Sequence, residues 1–380
     1  MSTPSPATPP IAPARTAAAA RPVGRVQWVD AAKGFCIVLV VLGHAITELG
    51  NHGWTSARWA EVNLMLGPVR MPLFFLVSGL FAAKALSESW AKLADRRIWV
   101  MVWLYVVWVP ARELVLALIP RSMAEEGIIA PPAVMDPASW PAIGARIVHS
   151  VYEPTSYLWF LYALALFAIL SKAMRHVHPA IQIGLAALVN VWSPFQDASW
   201  SWDFISQMYV FYVIGMYGAP WIFRLARARL LPVVLVTGLV YVAVAGHIYM
   251  TYPHFNMGNQ GVTRLFLSLT GVTCAVALVS LFEGTRVLAP FHMLGRRTLP
   301  VFLMHIPVLV AMLFALNMLV ERDPVLPLQT VAVTLAAVVA CLAVHRLLVR
   351  AGAGWMFARP AWVRGGVRMP APAGATGRRN

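Results

Sequence analysis

The sequence predicts an all-α, polytopic membrane protein: a transmembrane helical bundle of about ten spans with both termini cytoplasmic. Three observations carry that expectation. Hydrophobic residues make up 59% of the chain and charged residues only 12%, where a soluble domain would carry about 25% charged residues; the mean hydropathy is +0.69. Apolar runs of about 18 residues or more recur along almost the whole length, each long enough to cross a bilayer core. Backbone polar groups must pair internally in lipid, and the alternating pattern of barrel strands is absent, so the runs are expected to be helices.

Taken in order, the spans are expected near residues 29–49, 62–83, 98–119, 157–171, 180–196, 204–223, 230–250, 262–282, 298–320 and 328–349. Residues 1–24 are rich in Pro, Ala, Ser and Thr and lack an apolar signal core, so they are expected to be a disordered cytoplasmic tail. Residues 25–350 read as one membrane-embedded domain because most connections are short. Residues 351–380 read as a second, basic, disordered tail. The long segment 120–156 is the exception among the loops. Its prolines favour loop, although ASWPAIGARIVHSVY can form an amphipathic helix along the outer surface. Such a segment is either a lid over an acceptor site or an inert connector.

The net charge of +15 raises the question of nucleic acid, and its distribution excludes it. With the N-terminus inside, the inner segments hold Arg15, Arg21, Arg25, Lys84, Lys92, Arg96, Arg97, Lys172 and Arg175. Further along they hold Arg224, Arg227, Arg229, Arg286, Arg296 and Arg297. The outer segments hold little beyond Arg58, Arg121, Arg146 and Arg322. That asymmetry is the positive-inside pattern, so the basic partner is the lipid bilayer with its anionic headgroups. Cys36, Cys274 and Cys341 all fall inside expected spans without CxxC spacing, which reads as small buried hydrophobes.

Ionisable residues inside spans are the functional candidates, because lipid makes them expensive. Lys33 and His44 share the first span, eleven residues apart. Eleven helical residues turn through about 1100°, close to three whole turns, so the two side chains share a face roughly 16 Å apart along the axis. Glu48 follows His44 by one turn, where a carboxylate can bond an imidazole nitrogen and raise its basicity. His44 is then either a general base or a helix-packing histidine. Arg70 in the second span is expected at similar depth, either holding a substrate oxygen or snorkelling to the surface. Ser78 and Gly79 form a small-residue pair suited to helix packing. Arg112 and Glu113 point about 100° apart and are expected to pair with other helices rather than with each other. Glu153 is expected at the outer mouth, and Trp159 as an interfacial belt residue. His305 precedes Pro307, whose kink frees carbonyls that can line a cavity. Arg96, Arg97, Arg296 and Arg297 gather at the inner surface, where they either bind an anionic ligand or only set topology.

HExxH, Walker A, GxGxxG and carboxylate-rich metal spacings do not occur, so no metal and no tightly bound cofactor are expected. The segments WVDAAKGFCIVLVVLGH, RMPLFFLVSGLF, YLWFLYALALF and LGRRTLPVFLMH, in that order, resemble the acyltransferase 3 family of integral membrane acyltransferases. The resemblance spans roughly residues 25–350. It implies transfer of an acyl group from cytoplasmic acyl-CoA, acetyl by default, to a hydroxyl of an extracytoplasmic sugar or glycolipid, in a bacterial inner membrane. By the same resemblance His44 matches the family's essential histidine, Lys33 its basic partner and Asp30 its opening acid. Trp159 falls in the matching WFL segment and His305 matches a late histidine. Two departures stand out. Arg70 occupies a position where related sugar acetylases commonly have His, and KLADRRI replaces an Arg-x-x-Arg run. The mechanism so implied has His44 as base, Arg70 stabilising the oxyanion, Glu48 or Glu153 orienting the imidazole, and CoA held near Lys33, Arg96, Arg97 and Arg296. From the residues alone a transporter of a glycan precursor or small solute stays open, with His and Arg as relay or substrate sites.

Overall fold

The computed structural model describes residues 26–51, 53–54, 57–117, 139–154, 156–193, 200–251, 261–319 and 327–363. Among them no strand occurs. The long helices, numbered along the chain, are α1 (Gln27–Asn51), α2 (Ala57–Gly79), α3 (Trp99–Ala117), α4 (Trp140–Tyr152), α5 (Trp159–Ala173) and α6 (Pro179–Trp192). They continue with α7 (Trp200–Ala228), α8 (Leu231–Thr251), α9 (Gly261–Leu281), α10 (Ala289–Gly295), α11 (Thr298–Leu319) and α12 (Pro327–Arg350). Among the described residues each expected span overlaps a helix. Among the described residues seven helices are long and apolar enough to cross a membrane: α1, α2, α3 with the turns leading into it, α8, α9, α11 and α12. The segments at α5 and α6 are shorter apolar helices. The proposed tail 1–24 and most of the 120–156 segment lie outside the described residues.

Helix α1 is the axis of the bundle and packs against α2, α9, α10, α11 and α12. Its apolar side chains are buried on nearly every face, as a central helix requires. Without a hydrophobic drive between helices in lipid, close approach of backbones at small residues does the joining. A Cβ on Gly34 would fall 2.0 Å from the carbonyl oxygen of Phe291, and one on Gly295 would fall 1.7 Å from that of Asp30. These two glycines seat α1 directly on α10. A second crossing joins α2 to α7, where a Cβ on Gly79 or Gly215 would fall 2.1 Å from the carbonyl oxygens of Tyr212 and Leu76 respectively. Ser78 turns its hydroxyl back to the carbonyl of Phe74 at 2.8 Å, so the SG pair serves packing.

Helix α2 carries Pro68 and Pro72 in its interior. Each lacks an N–H, so the carbonyls one turn earlier lose their helical donor. Helix α3 is entered through a π-helical turn, Ala94–Ile98, that carries Arg96 and Arg97. Helix α4 is the amphipathic segment foreseen within 120–156. Ser139 caps it through Ala142 N, and its face bearing Trp140, Val148 and Val151 is exposed.

Two expectations need correction. Residues 351–363, expected to lie in a disordered tail, are instead ordered, with 3-10 turns at Ala353–Met356 and Ala361–Val363 held to the bundle; residues 364–380 lie outside the described residues. Trp103 Nε1 and Trp108 Nε1 donate to the carbonyls of Trp355 and Met356 at 2.8 and 2.7 Å, and Arg359 Nη1 meets Asp95 Oδ1 at 2.8 Å. The tryptophans of α3 supply donors that composition alone does not reveal. Arg112 and Glu113 do pair with each other, although neighbours on a helix diverge; long flexible side chains reach across that angle. Glu113 also receives Arg146 Nε of α4 at 2.6 Å, which ties α4 to α3.

Candidate active site

The side of the bundle where α1 begins is termed proximal here, and the side where it ends distal. In the distal half lies a cavity of about 500 Å³, within the usual range for small-molecule sites. Helix α1 contributes Val40 and His44 to its wall, α2 contributes Asn63, Arg70 and the two prolines, and the start of α5 contributes Trp159. Helices α7 and α9 close it with Asp203, Gln207, Arg264 and Ser268. The broken stretch of α2 thus lines the cavity, which is where interrupted helix is tolerated at membrane depth.

Around His44 the geometry is specific. Its ring lies 5.0 Å from that of His305, centroid to centroid. His305 is fully buried on α11, with Nδ1 2.7 Å from the carbonyl oxygen of Phe302. A carbonyl only accepts, so Nδ1 carries the proton and Nε2 is left as an acceptor. That Nε2 is buried with no hydrogen-bond partner. Tyr157 fixes the other side: its ring is 4.8 Å from that of His305, and its hydroxyl donates to Leu303 O at 2.8 Å. Arg70 comes from α2 onto the glycine that precedes His44. A Cβ on Gly43 would fall 1.7 Å from Arg70 Nη1, so the guanidinium occupies the space a side chain would take. Asn63 Oδ1, two turns earlier on α2, accepts from the same Nη1.

Of the residues singled out from sequence, His44, Arg70 and Trp159 line the cavity, and His305 stands directly behind His44. Trp159 is 5% exposed and packs on Phe75, Phe160 and Phe204, so it is not a belt residue. Neither acidic candidate orients the imidazole. Glu48 Oε2 is buried without a hydrogen bond, and its charge interacts with Arg112. Glu153 caps the end of α4 and meets His149 Nε2 at 3.2 Å.

The other candidates gather at the proximal end. Lys33 Nζ lies 6.0 Å from the centre of the Phe81 ring, and Arg97 Nη2 donates to Phe81 O at 2.7 Å, so two cations converge on one residue. Arg96 pairs with Glu88 at 3.3 Å. Asp30 is buried, with Oδ2 3.6 Å from Arg296 Nε.

Sequence reasoning overlooked Gly43, Asn63, Tyr157, Asp203, Gln207, Arg264 and Ser268. For Arg264 a signal existed: an arginine in GVTRLFLSL is an ionisable residue in an apolar run, the same criterion that selected Lys33 and His44. The neutral residues carried none.

Comparison with known proteins adds two findings. Residues 26–346 match the family described as acyltransferase domain. The chain is 24% identical over 358 residues to a protein named inner membrane protein YcfT of Escherichia coli (strain K12), covering 88% of this chain and 96% of that protein. No solved structure matches the chain.

Proposed function

Because the chain belongs to the acyltransferase domain family, we propose that it is a multi-pass membrane O-acyltransferase. It moves an acyl group, acetyl by default, from acyl-CoA to a hydroxyl of a sugar or glycolipid on the other side of the membrane. The observation that carries this reading is the pairing of His44 with Arg70 in one cavity of about 500 Å³. In this scheme the acceptor hydroxyl loses its proton to the His44 ring as its oxygen attacks the thioester carbon. The Arg70 guanidinium donates to the oxyanion. The C–S bond then breaks, and the departing thiolate of CoA takes the proton back from His44, giving ester and free CoA.

His305 positions the imidazole in this scheme, with Tyr157 behind it. CoA approaches from the proximal end, which is cytoplasmic, and Lys33 and Arg97 around Phe81 meet its phosphates, with Arg96 and Arg296 adding positive field. From Lys33 to His44 the axial rise is about 16 Å, a span for an extended pantetheine arm. Ten membrane crossings put both termini in the cytoplasm, as the positive-inside pattern requires. A relative named as an inner membrane protein supports an inner membrane location.

The test uses purified protein, labelled acetyl-CoA and an acceptor-bearing membrane extract. His44→Ala is expected to abolish acyl transfer while the protein level in the membrane stays at that of the wild type. Wild-type transfer by that variant refutes the assignment.

A further inference from the structure

At the proximal end, the π-helical turn that carries Arg96 and Arg97 is held by a segment from the far end of the chain. Such turns are rare and often sit at functional places. Here the Trp99 N–H donates to Ala94 O, five residues back instead of four. Relaxing the turn to α geometry would rotate the residues leading into α3 by about 100°. Arg96 and Arg97 would then swing away from Glu88 and Phe81 O, the partners they meet at 3.3 and 2.7 Å. Gly352 starts the holding segment: its φ of +86° is left-handed, which ends α12 and turns the chain back onto α3. Phe357 is buried there, its ring 5.4 Å from that of Trp108, and the indoles of Trp103 and Trp108 hold two backbone carbonyls. This sets Arg359, whose side chain is only 9% exposed, against the π turn. Arg359 Nη1 donates to Asp95 Oδ1 at 2.8 Å and to Asp95 O at 3.3 Å, so one guanidinium grips both side chain and backbone of the residue before Arg96. Its Nη2 closes the segment on itself at Val363 O, 3.3 Å away. The family match ends at residue 346, so the holding segment lies beyond the matched domain.

We propose that residues 353–363 are a clasp that sets the register of the π turn, and that Arg359 is a positioning residue for Arg96 and Arg97. A guanidinium donates in a fixed planar fork, so gripping a carboxylate and the adjoining carbonyl fixes direction as well as charge. Because Arg359 is buried, leaving it unpaired is costly, which biases the turn toward the geometry in which Asp95 meets it. The clasp thereby selects one arrangement of the two neighbouring cations, and CoA is bound in that arrangement. The inference rests on the acyl-transfer reading in that CoA is the anion those cations meet. The sign of one substitution separates the clasp from plain electrostatics. Removing the Asp95 carboxylate beside two arginines raises the local positive field, which by itself strengthens binding of a polyanion. Losing the clasp releases the turn, so the clasp requires weaker binding from the same change.

Two readouts on the full-length protein in nanodiscs test this: hydrogen–deuterium exchange of the peptide spanning residues 94–99, and equilibrium binding of labelled CoA. Asp95→Ala and Arg359→Gln are each expected to speed that exchange about ten-fold. Each is also expected to weaken CoA binding about ten-fold, the worth of one hydrogen bond to a charged group. The double variant should bind CoA no more weakly than either single one, because both changes break the same contact. Losses that multiply in the double variant overturn the proposal. So do unchanged exchange in either variant, tighter or unchanged CoA binding in Asp95→Ala, and a wild type that binds no CoA. Should Arg359→Gln fail to reach the membrane, Asp95→Ala decides alone, because it alters the exposed half of the pair. Release of CoA from acetyl-CoA, with an acceptor-bearing membrane extract, is scored separately. CoA binding that follows the expected pattern with no CoA released leaves the clasp standing and sinks the acyl-transfer reading. Release by the wild type, with CoA binding untouched in the variants, sinks the clasp and leaves that reading in place.

Discussion

Gly43→Ala isolates the position of Arg70 from the stability of the fold. The new methyl group would fall 1.7 Å from Nη1, 2.7 Å from Cζ of Arg70 and 2.9 Å from Asn63 Oδ1. An ordinary contact needs about 3.5 Å, so the guanidinium must retreat by roughly 1.8 Å. What moves is the far end of a flexible side chain, so neither α1 nor α2 is forced to shift. The helix itself gains, since alanine is favoured over glycine in a helix interior by up to about 1 kcal/mol. Thermal unfolding in detergent, followed by size-exclusion fluorescence, should therefore show a midpoint equal to or slightly above that of the wild type. Catalysis should respond differently. If Arg70 donates to the oxyanion, a displacement of more than 1 Å is expected to lower kcat for CoA release by about 100-fold. The KM for acetyl-CoA should stay near its wild-type value, because the proposed scheme holds CoA from the proximal end. Wild-type kcat in a well-folded Gly43→Ala protein refutes the role given to Arg70. A variant that fails to assemble refutes the claim that the displaced group yields easily.

Two further predictions use the same measurements. Gly34→Ala presents the opposite case, because the methyl group would meet the backbone oxygen of Phe291 at 2.0 Å and no side chain can yield; the variant should be lost from the membrane fraction, and normal recovery would show that α1 and α10 can separate without harm. Glu113→Ala leaves Arg112 and Arg146 without their shared carboxylate at a site where Glu113 is 2% exposed. Removing one partner of a buried ion pair costs about 3–5 kcal/mol, so the unfolding midpoints in detergent of this variant and of the neutral isostere Glu113→Gln should both fall well below that of the wild type, and a wild-type midpoint in Glu113→Gln would refute a charge-based role.

Part of the site was legible because membrane chemistry writes it into one dimension. The cost of burying His44 or Arg70 in lipid marks them in any apolar run, and helical spacing sets Lys33 on the face of His44. Where a residue is neutral, that signal vanishes: Gln207, Ser268 and Asn63 cost too little to stand out. The errors have the same origin. Trp159 resembled a belt residue because interfacial and cavity tryptophans look alike in sequence, and Glu48 was assigned to His44 on spacing, which says nothing of the neighbouring helix that presents Arg112 to it.

The sequence by itself determined that this chain is helical and where its apolar segments run, because hydropathy and periodicity are properties of each segment alone; for ASWPAIGARIVHSVY it left loop and amphipathic helix both open, and the structure decided for the helix. Only the tertiary structure decided that His305 stands 5.0 Å behind His44, that Gly43 makes room for Arg70, and that α7 and α9 face each other across a polar wall. The physical reason is that lipid treats all apolar helix faces alike. Which faces meet is settled by backbone contact at glycines and by polar groups seeking partners, and neither acts until the helices are side by side.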